Sequence, residues 1–102
     1  MSSNEVTPDG RTERLLRAFL DAQLAGDRRR GLRVVLDEGL GAGFSVPDLH
    51  LSVIQAAQYE IGRLWQENAV SIAQEHVATA VAQLALSQLY AHLPRESTNG
   101  RS

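Results

Sequence analysis

The chain has 102 residues, 43% of them hydrophobic and 22% charged, with a formal net charge of -2 at pH 7. A chain of this length forms one domain at most, and its slightly acidic charge argues against direct binding to nucleic acid or an anionic membrane. The absence of cysteine excludes disulfides and thiolate metal sites. No apolar run approaches the ~20 residues of a membrane-spanning helix, and residues 1–12 lack a signal peptide's apolar segment, so we expect a cytoplasmic protein.

The first half of the chain has the apolar spacing of two helices, and nothing in it alternates like a strand. The first helix is predicted from Thr12 to Ala25, where Gly26 stops it. Asp27 is a suitable N-cap for a second helix, predicted from Arg28 to Leu40. Three glycines end this second helix in the prediction: Gly39, Gly41 and Gly43.

The second half predicts two longer helices. Ser45 is the expected N-cap of the third helix, and Asn68 closes it. Ser71 then caps the fourth helix, which continues to about His92, and Gln74 completes a capping box with it.

Four helices with short connections predict an all-α fold, an antiparallel four-helix bundle over residues 12–93. The polar flanks at residues 1–11 and 94–102 are predicted to be disordered N-terminal and C-terminal tails.

Three residue types that could cover a planar ligand are predicted at one end of this bundle. Trp65 falls near the end of the third helix, and Glu75 and His76 fall in the first turns of the fourth. A short turn would bring the indole, the carboxylate and the imidazole together. The alternative interpretation makes Trp65 a core residue, Glu75 a capping residue and His76 a partly buried side chain at a helix start.

Gly62 is unusual because glycine inside a helix costs roughly 1 kcal/mol relative to alanine. Such a cost indicates that another helix or a ligand approaches closely there, and close helix packing is the more frequent cause.

The sequence offers little for catalysis. It contains no phosphate-binding loop, no nucleophile elbow and no closely spaced set of metal ligands, so we expect that it is not an enzyme. The basic run Arg28–Arg30 lacks interleaved aromatic residues, which favours a solvated face or an acidic partner over nucleic acid.

Two stretches carry a resemblance to a known family. The segment QAAQYEIGRLW at residues 55–65, followed by SIAQEHVAT at residues 71–79, resembles the helical cap of cobalamin-binding proteins. This four-helix module precedes the Rossmann-like cobalamin domain in methionine synthase-like proteins. The spacing from Trp65 to Glu75 and His76 is most similar to that of the light-sensing CarH-type transcription regulators, which bind adenosylcobalamin. The resemblance covers about residues 14–93, including the junction of the first two helices at residues 24–28.

The resemblance implies roles for individual residues. Trp65 would pack over the upper, adenosyl face of the corrin, and Glu75 would accept a hydrogen bond from the upper ligand, for instance from a ribose hydroxyl. His76 would lie beside the same face and could ligate cobalt after the adenosyl group is lost. Gly62 and Thr79, which lie in the matching stretches, complete the expected cofactor-binding set.

The sequence departs from the family in one respect. The D-x-H-x-x-G motif that holds the lower face of cobalamin is missing, so the expected partner is a Rossmann-like cobalamin domain of a longer protein or of another chain. We expect a cobalamin-binding cap or sensor module in light- or ligand-responsive regulation. The alternatives are a self-associating module without cobalamin, a binder of another flat ligand such as a tetrapyrrole, and the cap of a corrinoid-dependent methyltransferase.

Overall fold

The computed structural model describes residues 9–93, and within that range it contains helices and turns but no strand. Helix α1 spans Asp9–Ala25. Helix α2 consists of an α-helical segment Arg28–Leu32, a wider π-helical segment Arg33–Gly39 and a final 3-10 turn Leu40–Ala42. The predicted all-α four-helix bundle is confirmed.

The second pair of helices is longer. Helix α3 consists of Val46–Leu49, a π-helical segment His50–Gln55 and the α-helical segment Ala56–Gln66. Helix α4 spans Ile72–Tyr90 without interruption. Helix α1 packs against the other three helices, and α3 also packs along α4.

One predicted boundary was wrong at the N-terminal side of the chain. Helix α1 begins at Asp9 instead of Thr12, so the predicted tail was three residues too long. The remaining tail residues, 1–8 and 94–102, lie outside the described residues.

Gly39 does not end the second helix, which continues to Ala42. A Cβ atom at Gly39 would lie 2.6 Å from Cδ2 of Leu49, so this glycine allows α3 to approach α2 closely. Gly43 is the residue that ends the helix, with a left-handed φ of 95°. Helix α4 ends at Tyr90, two residues before the predicted end at His92.

Three helices end in the same way, with one left-handed residue. These residues are Gly26, Gly43 and Asn68, with φ values of 68°, 95° and 62°. After each of them, the next backbone N–H donates to the carbonyl five residues back, as in Ala69 N to Leu64 O at 2.8 Å. This pattern is the Schellman motif, which satisfies carbonyls at the helix end. The predicted stops at Gly26 and Asn68 are confirmed.

The predicted N-caps are also confirmed. Asp27 Oδ1 accepts from the backbone N–H of Arg30, and Ser45 Oγ accepts from that of Asp48, each at 3.1 Å. At the start of α4 the Ser71 hydroxyl accepts from the backbone of Gln74, and the Gln74 side chain accepts from the backbone of Ser71. Each such cap contributes about 0.5–2 kcal/mol to helix stability.

The core is mostly aliphatic and draws on all four helices. Full burial of a leucine, isoleucine or phenylalanine side chain stabilises the fold by ~1.5–3 kcal/mol. The largest buried apolar side chains are Phe19, Leu49, Ile54, Ile61, Leu89, Val34, Val35, Val53 and Val81.

Charge is distributed unevenly over the bundle surface. The exposed face of α1 carries charged side chains, among them Glu13, Arg14 and Asp21. Helix α4, by contrast, contains Glu75 as its single aspartate, glutamate, lysine or arginine, although Ile72 and Val77 on it are exposed. A helix that is apolar all round is usually buried, so exposed apolar side chains on α4 are unusual. No helix within residues 9–93 is long and apolar enough to cross a membrane.

Candidate functional site

The turn between α3 and α4 determines where the predicted site residues lie. Five residues, 67–71, join the two helices, and the Schellman motif at Asn68 and the capping box at Ser71 hold both ends of this turn. Because the turn is short and the helices pack along each other, they run antiparallel. Trp65 therefore lies at the same end of the bundle as Glu75 and His76, as predicted.

A side-chain hydrogen bond shows the register of the two helices. Gln58 Nε2 on α3 donates to Thr79 Oγ1 on α4 at 2.8 Å. Gly62 follows Gln58 by four residues and Glu75 precedes Thr79 by four, and residues four apart share one helix face. Gly62 and Glu75 are therefore level with each other on the face that contains this hydrogen bond.

The space in front of Gly62 is open. A Cβ atom at this position would meet no other atom within 4 Å. Close helix packing, the more frequent reason for a helical glycine, is therefore not the reason here. What remains is the other expectation, close approach of a ligand to the surface beside Glu75.

Trp65 is not a core residue, because 47% of its surface is exposed. It lies one turn beyond Gly62 on α3, towards the end of the bundle. Ile72, at the start of α4, is also exposed. Together, Gly62, Trp65 and Ile72 provide an open apolar surface next to the carboxylate.

Glu75 is held by a neighbouring hydroxyl. The Thr79 hydroxyl donates to Glu75 Oε2 at 3.3 Å, and the carboxylate side chain is 33% exposed. The capping role that the alternative interpretation gave to Glu75 belongs to Gln74. The second oxygen, Oε1, lies 3.7 Å from His76 Nδ1. Glu75 can therefore accept a hydrogen bond from a ligand hydroxyl.

His76 is exposed, with 71% of its side chain accessible, so the partly buried position is wrong. Its Nδ1 lies 3.0 Å from the carbonyl oxygen of Ile72. A carbonyl can only accept, so the Nδ1 atom carries the proton in this pair. In the neutral ring the Nε2 atom then has a free lone pair, which can accept a hydrogen bond or ligate a metal.

Two residues that the sequence analysis missed support this site from below. Gln23 on α1 is buried, with 1% exposure, and its Nε2 donates to Gln58 Oε1 at 2.7 Å and to Ala78 O at 2.9 Å. Glutamine in an amphipathic helix usually faces solvent, which is why neither was expected. The signal that could have found Gln23 is its position four residues after the buried Phe19, on the inward face of α1.

A groove continues the site along the two helices. It has a volume of about 240 Å³ and an apolar floor of Ile54, Ala82 and Leu86. His50 lines its far end and bonds through Nδ1 to the Tyr90 hydroxyl at 2.7 Å.

On the outer side of α3, Arg63 pairs with Glu60 and with Glu67. The hydrogen bond from Arg63 lowers the pKa of Glu60, and the same pairing raises the pKa of Arg63. These ion pairs lie along α3 next to Gly62.

Within residues 9–93 no three histidine, aspartate or glutamate side chains are grouped as a metal site would require.

The residues at this end of the bundle fit a corrinoid. A large macrocycle with an organic upper ligand needs an open apolar cover, an acceptor for hydroxyl groups and space at the protein backbone. Trp65 offers the first, Glu75 the second and Gly62 the third. Fold and site together define a helical domain that covers a ligand instead of enclosing it.

Comparison with known families agrees with this description. The model of the B12 binding domain family matches residues 15–90, which is most of the chain. The chain therefore belongs to this family and is a cobalamin-binding helical domain. No curated protein matches the chain.

Proposed function

We propose that this domain covers the upper, adenosyl face of a corrinoid and acts as a sensor module in light- or ligand-responsive control of transcription. The observation that carries the proposal is the level placement of Gly62 and Glu75 on an open face, with Trp65 one turn beyond. That arrangement leaves room for an upper ligand with hydroxyl groups beside an acceptor. When bound, adenosylcobalamin supplies a light-sensitive cobalt–carbon bond.

Each residue has a distinct proposed task. Trp65 packs on the upper ligand and shields it from water, since half of the indole faces outward. Glu75 accepts a hydrogen bond from a ribose hydroxyl, while Thr79 orients the carboxylate. His76 Nε2 is the nitrogen that would ligate cobalt when the upper position is vacant, because its Nδ1 is engaged by Ile72 O.

The proposed role is binding and sensing, without catalysis. A Rossmann-like cobalamin domain, in the same longer protein or in a partner chain, would supply the lower face. The exposed surface of α4 is nearly uncharged, which supports a partner on this side. Loss of the upper ligand would then change the contacts between that surface and the partner.

The absorption spectrum of the purified chain tests the proposal. The chain is mixed with adenosylcobalamin in the dark, desalted and measured before and after illumination, with methylcobalamin as the comparison ligand. We expect retained corrin bands that change with light. If the chain stays colourless even with a Rossmann-like cobalamin domain added, the proposal fails. A preference for methylcobalamin would indicate the cap of a methyltransferase instead.

A further inference from the structure

Gln23 is the one polar side chain that is buried among residues 10–93. Its amide nitrogen has two acceptors, Gln58 Oε1 and Ala78 O, but its amide oxygen has no hydrogen-bond partner. A buried amide oxygen without a partner lowers the stability of the fold. This penalty offsets the two hydrogen bonds of the amide nitrogen, so the stability of the fold alone gives little reason for a glutamine at this core position.

The hydrogen bonds that begin at Gln23 run in one direction across three helices. Gln23 must present its nitrogen, because Ala78 O can only accept. Gln58 consequently turns its oxygen towards Gln23 and its nitrogen towards Thr79. The Thr79 oxygen accepts from Gln58, which leaves the hydroxyl proton for Glu75 Oε2.

This series of hydrogen bonds ends at the Glu75 carboxylate, which can only accept. An ionised carboxylate has no proton to give, so the order of donors from Gln23 to Glu75 is consistent at every step. The other carboxylate oxygen, Oε1, takes no part in this series. It lies 3.7 Å from His76 Nδ1, and the Glu75 side chain is 33% exposed.

We propose that Gln23 and Gln58 are positioning residues, which act through Thr79 to orient the Glu75 carboxylate towards the upper ligand of the corrinoid. This inference rests on the proposed function, because it concerns how that function recognises its ligand. It makes the site sensitive to a buried residue of α1, a helix that supplies none of the proposed ligand contacts.

The ligand-free chain gives the first test. In Thr79→Val the hydroxyl is lost and the shape is kept, so NMR spectra should show shifted side-chain amide signals for both Gln58 and Gln23. Ser87→Ala, which removes an exposed hydroxyl from the same helix, should move neither signal. An unmoved Gln23 signal in Thr79→Val would overturn the proposal.

Binding measurements give the second test, with Gln23→Met as an apolar variant of similar shape. We expect about tenfold weaker binding of adenosylcobalamin, the size of one lost charge-assisted hydrogen bond, and unchanged binding of methylcobalamin, whose upper ligand has no ribose hydroxyls. The Tm of the ligand-free variant should be unchanged or higher. Gln88→Met, at an exposed position of α4, should alter neither affinity.

Equal losses for both cobalamins, or a lower Tm in Gln23→Met, would contradict a positioning role and indicate a structural one. If the unchanged chain binds neither cobalamin with the lower domain present, the proposed function fails. The NMR comparison still decides whether Gln23 is coupled to Thr79 in that case, so the two failures are distinguishable.

Discussion

Gly62 lies level with Glu75 across the α3–α4 pair, one helical turn beyond the hydrogen bond from Gln58 to Thr79. Gly62 has no side chain on this surface, whereas Glu75 places a carboxylate on it. Gly62 does not help the bundle to fold, because the space beside it is open, and the Glu75 carboxylate remains partly exposed. Their pairing supports the proposal that one ligand approaches both.

Substitution of Gly62 should separate stability from binding. Because a Cβ atom meets nothing there, Gly62→Ala should stabilise the ligand-free chain by about 0.5–1 kcal/mol, as helix propensity predicts. For a domain of this size that raises Tm by roughly 4–8 °C per kcal/mol. Gly62→Leu should keep most of this gain and weaken adenosylcobalamin binding, since the larger side chain occupies the ligand's space.

Gly41 is the matched control for this prediction. It is also helical, and a Cβ atom there also meets nothing within 4 Å, but it lies in the last turn of α2. Gly41→Leu should therefore leave cobalamin affinity unchanged. Unaltered affinity in Gly62→Leu would show that the ligand does not approach this face.

Local signals in the sequence were enough for much of the fold. The N-caps at Ser45 and Ser71 and the stop at Asn68 were predicted because a cap depends on residues within one helical turn. The short α3–α4 turn follows from two such signals. That turn places Trp65 near Glu75, so the end of the bundle that carries the site was also predictable.

What the sequence did not show depends on neighbours that are distant along the chain. Glycine is typical of a helix end, yet Gly39 lies inside α2 and allows close packing against Leu49. Glutamine is typical of a helix surface, yet Gln23 is buried and its hydrogen-bond partners are 35 and 55 residues away along the chain. The open space at Gly62 likewise depends on the tertiary structure. From the sequence alone, close helix packing is therefore the more frequent explanation for a glycine at this position.

Trp65→Ala should weaken ligand binding more than it weakens the fold. The indole is half exposed, so the loss of stability should be smaller than the ~3–5 kcal/mol that truncation of a fully buried aromatic residue costs. Adenosylcobalamin affinity should fall about tenfold, since the flat apolar contact is lost. Titration followed by absorbance measures the affinity, and chemical denaturation measures the stability.

Tyr59→Ala is the control for Trp65, because Tyr59 is an exposed aromatic residue two turns earlier on α3. It should bind adenosylcobalamin as the unchanged chain does. Affinity and photochemistry that are unchanged in Trp65→Ala would rule out the role assigned to the indole.

The Glu60–Arg63 pair should make stability depend on pH in the acid range. The hydrogen bond from Arg63 lowers the pKa of Glu60 in the folded state below its ordinary value of 4.5. The stabilisation is therefore present above pH 4.5 and is lost as the pH falls through the lowered pKa. The effect should be small, because both side chains are partly exposed to solvent.

Thermal unfolding at a series of pH values tests this pair. Glu60→Gln should reduce the loss of Tm on acidification, whereas Glu38→Gln, at an exposed position of α2 outside this pair, should leave it as it is. An acid dependence that is identical in Glu60→Gln and the unchanged chain would mean that the pair contributes nothing measurable.

His76 is best tested against His92, which has the same local geometry. In both residues Nδ1 bonds to the carbonyl four residues earlier, at 3.0 Å for His76 and 2.9 Å for His92, and both side chains are exposed. Because His76 lies beside Glu75 and His92 lies beyond the opposite end of α4, only His76 is near the proposed ligand. After illumination of the chain with adenosylcobalamin, His76→Ala should lack the spectral change of a nitrogen ligand on cobalt, and His92→Ala should retain it. The same light-dependent spectrum in both variants would exclude His76 as the metal ligand, while leaving the contacts of Trp65 and Glu75 with the upper ligand to be judged by their own variants.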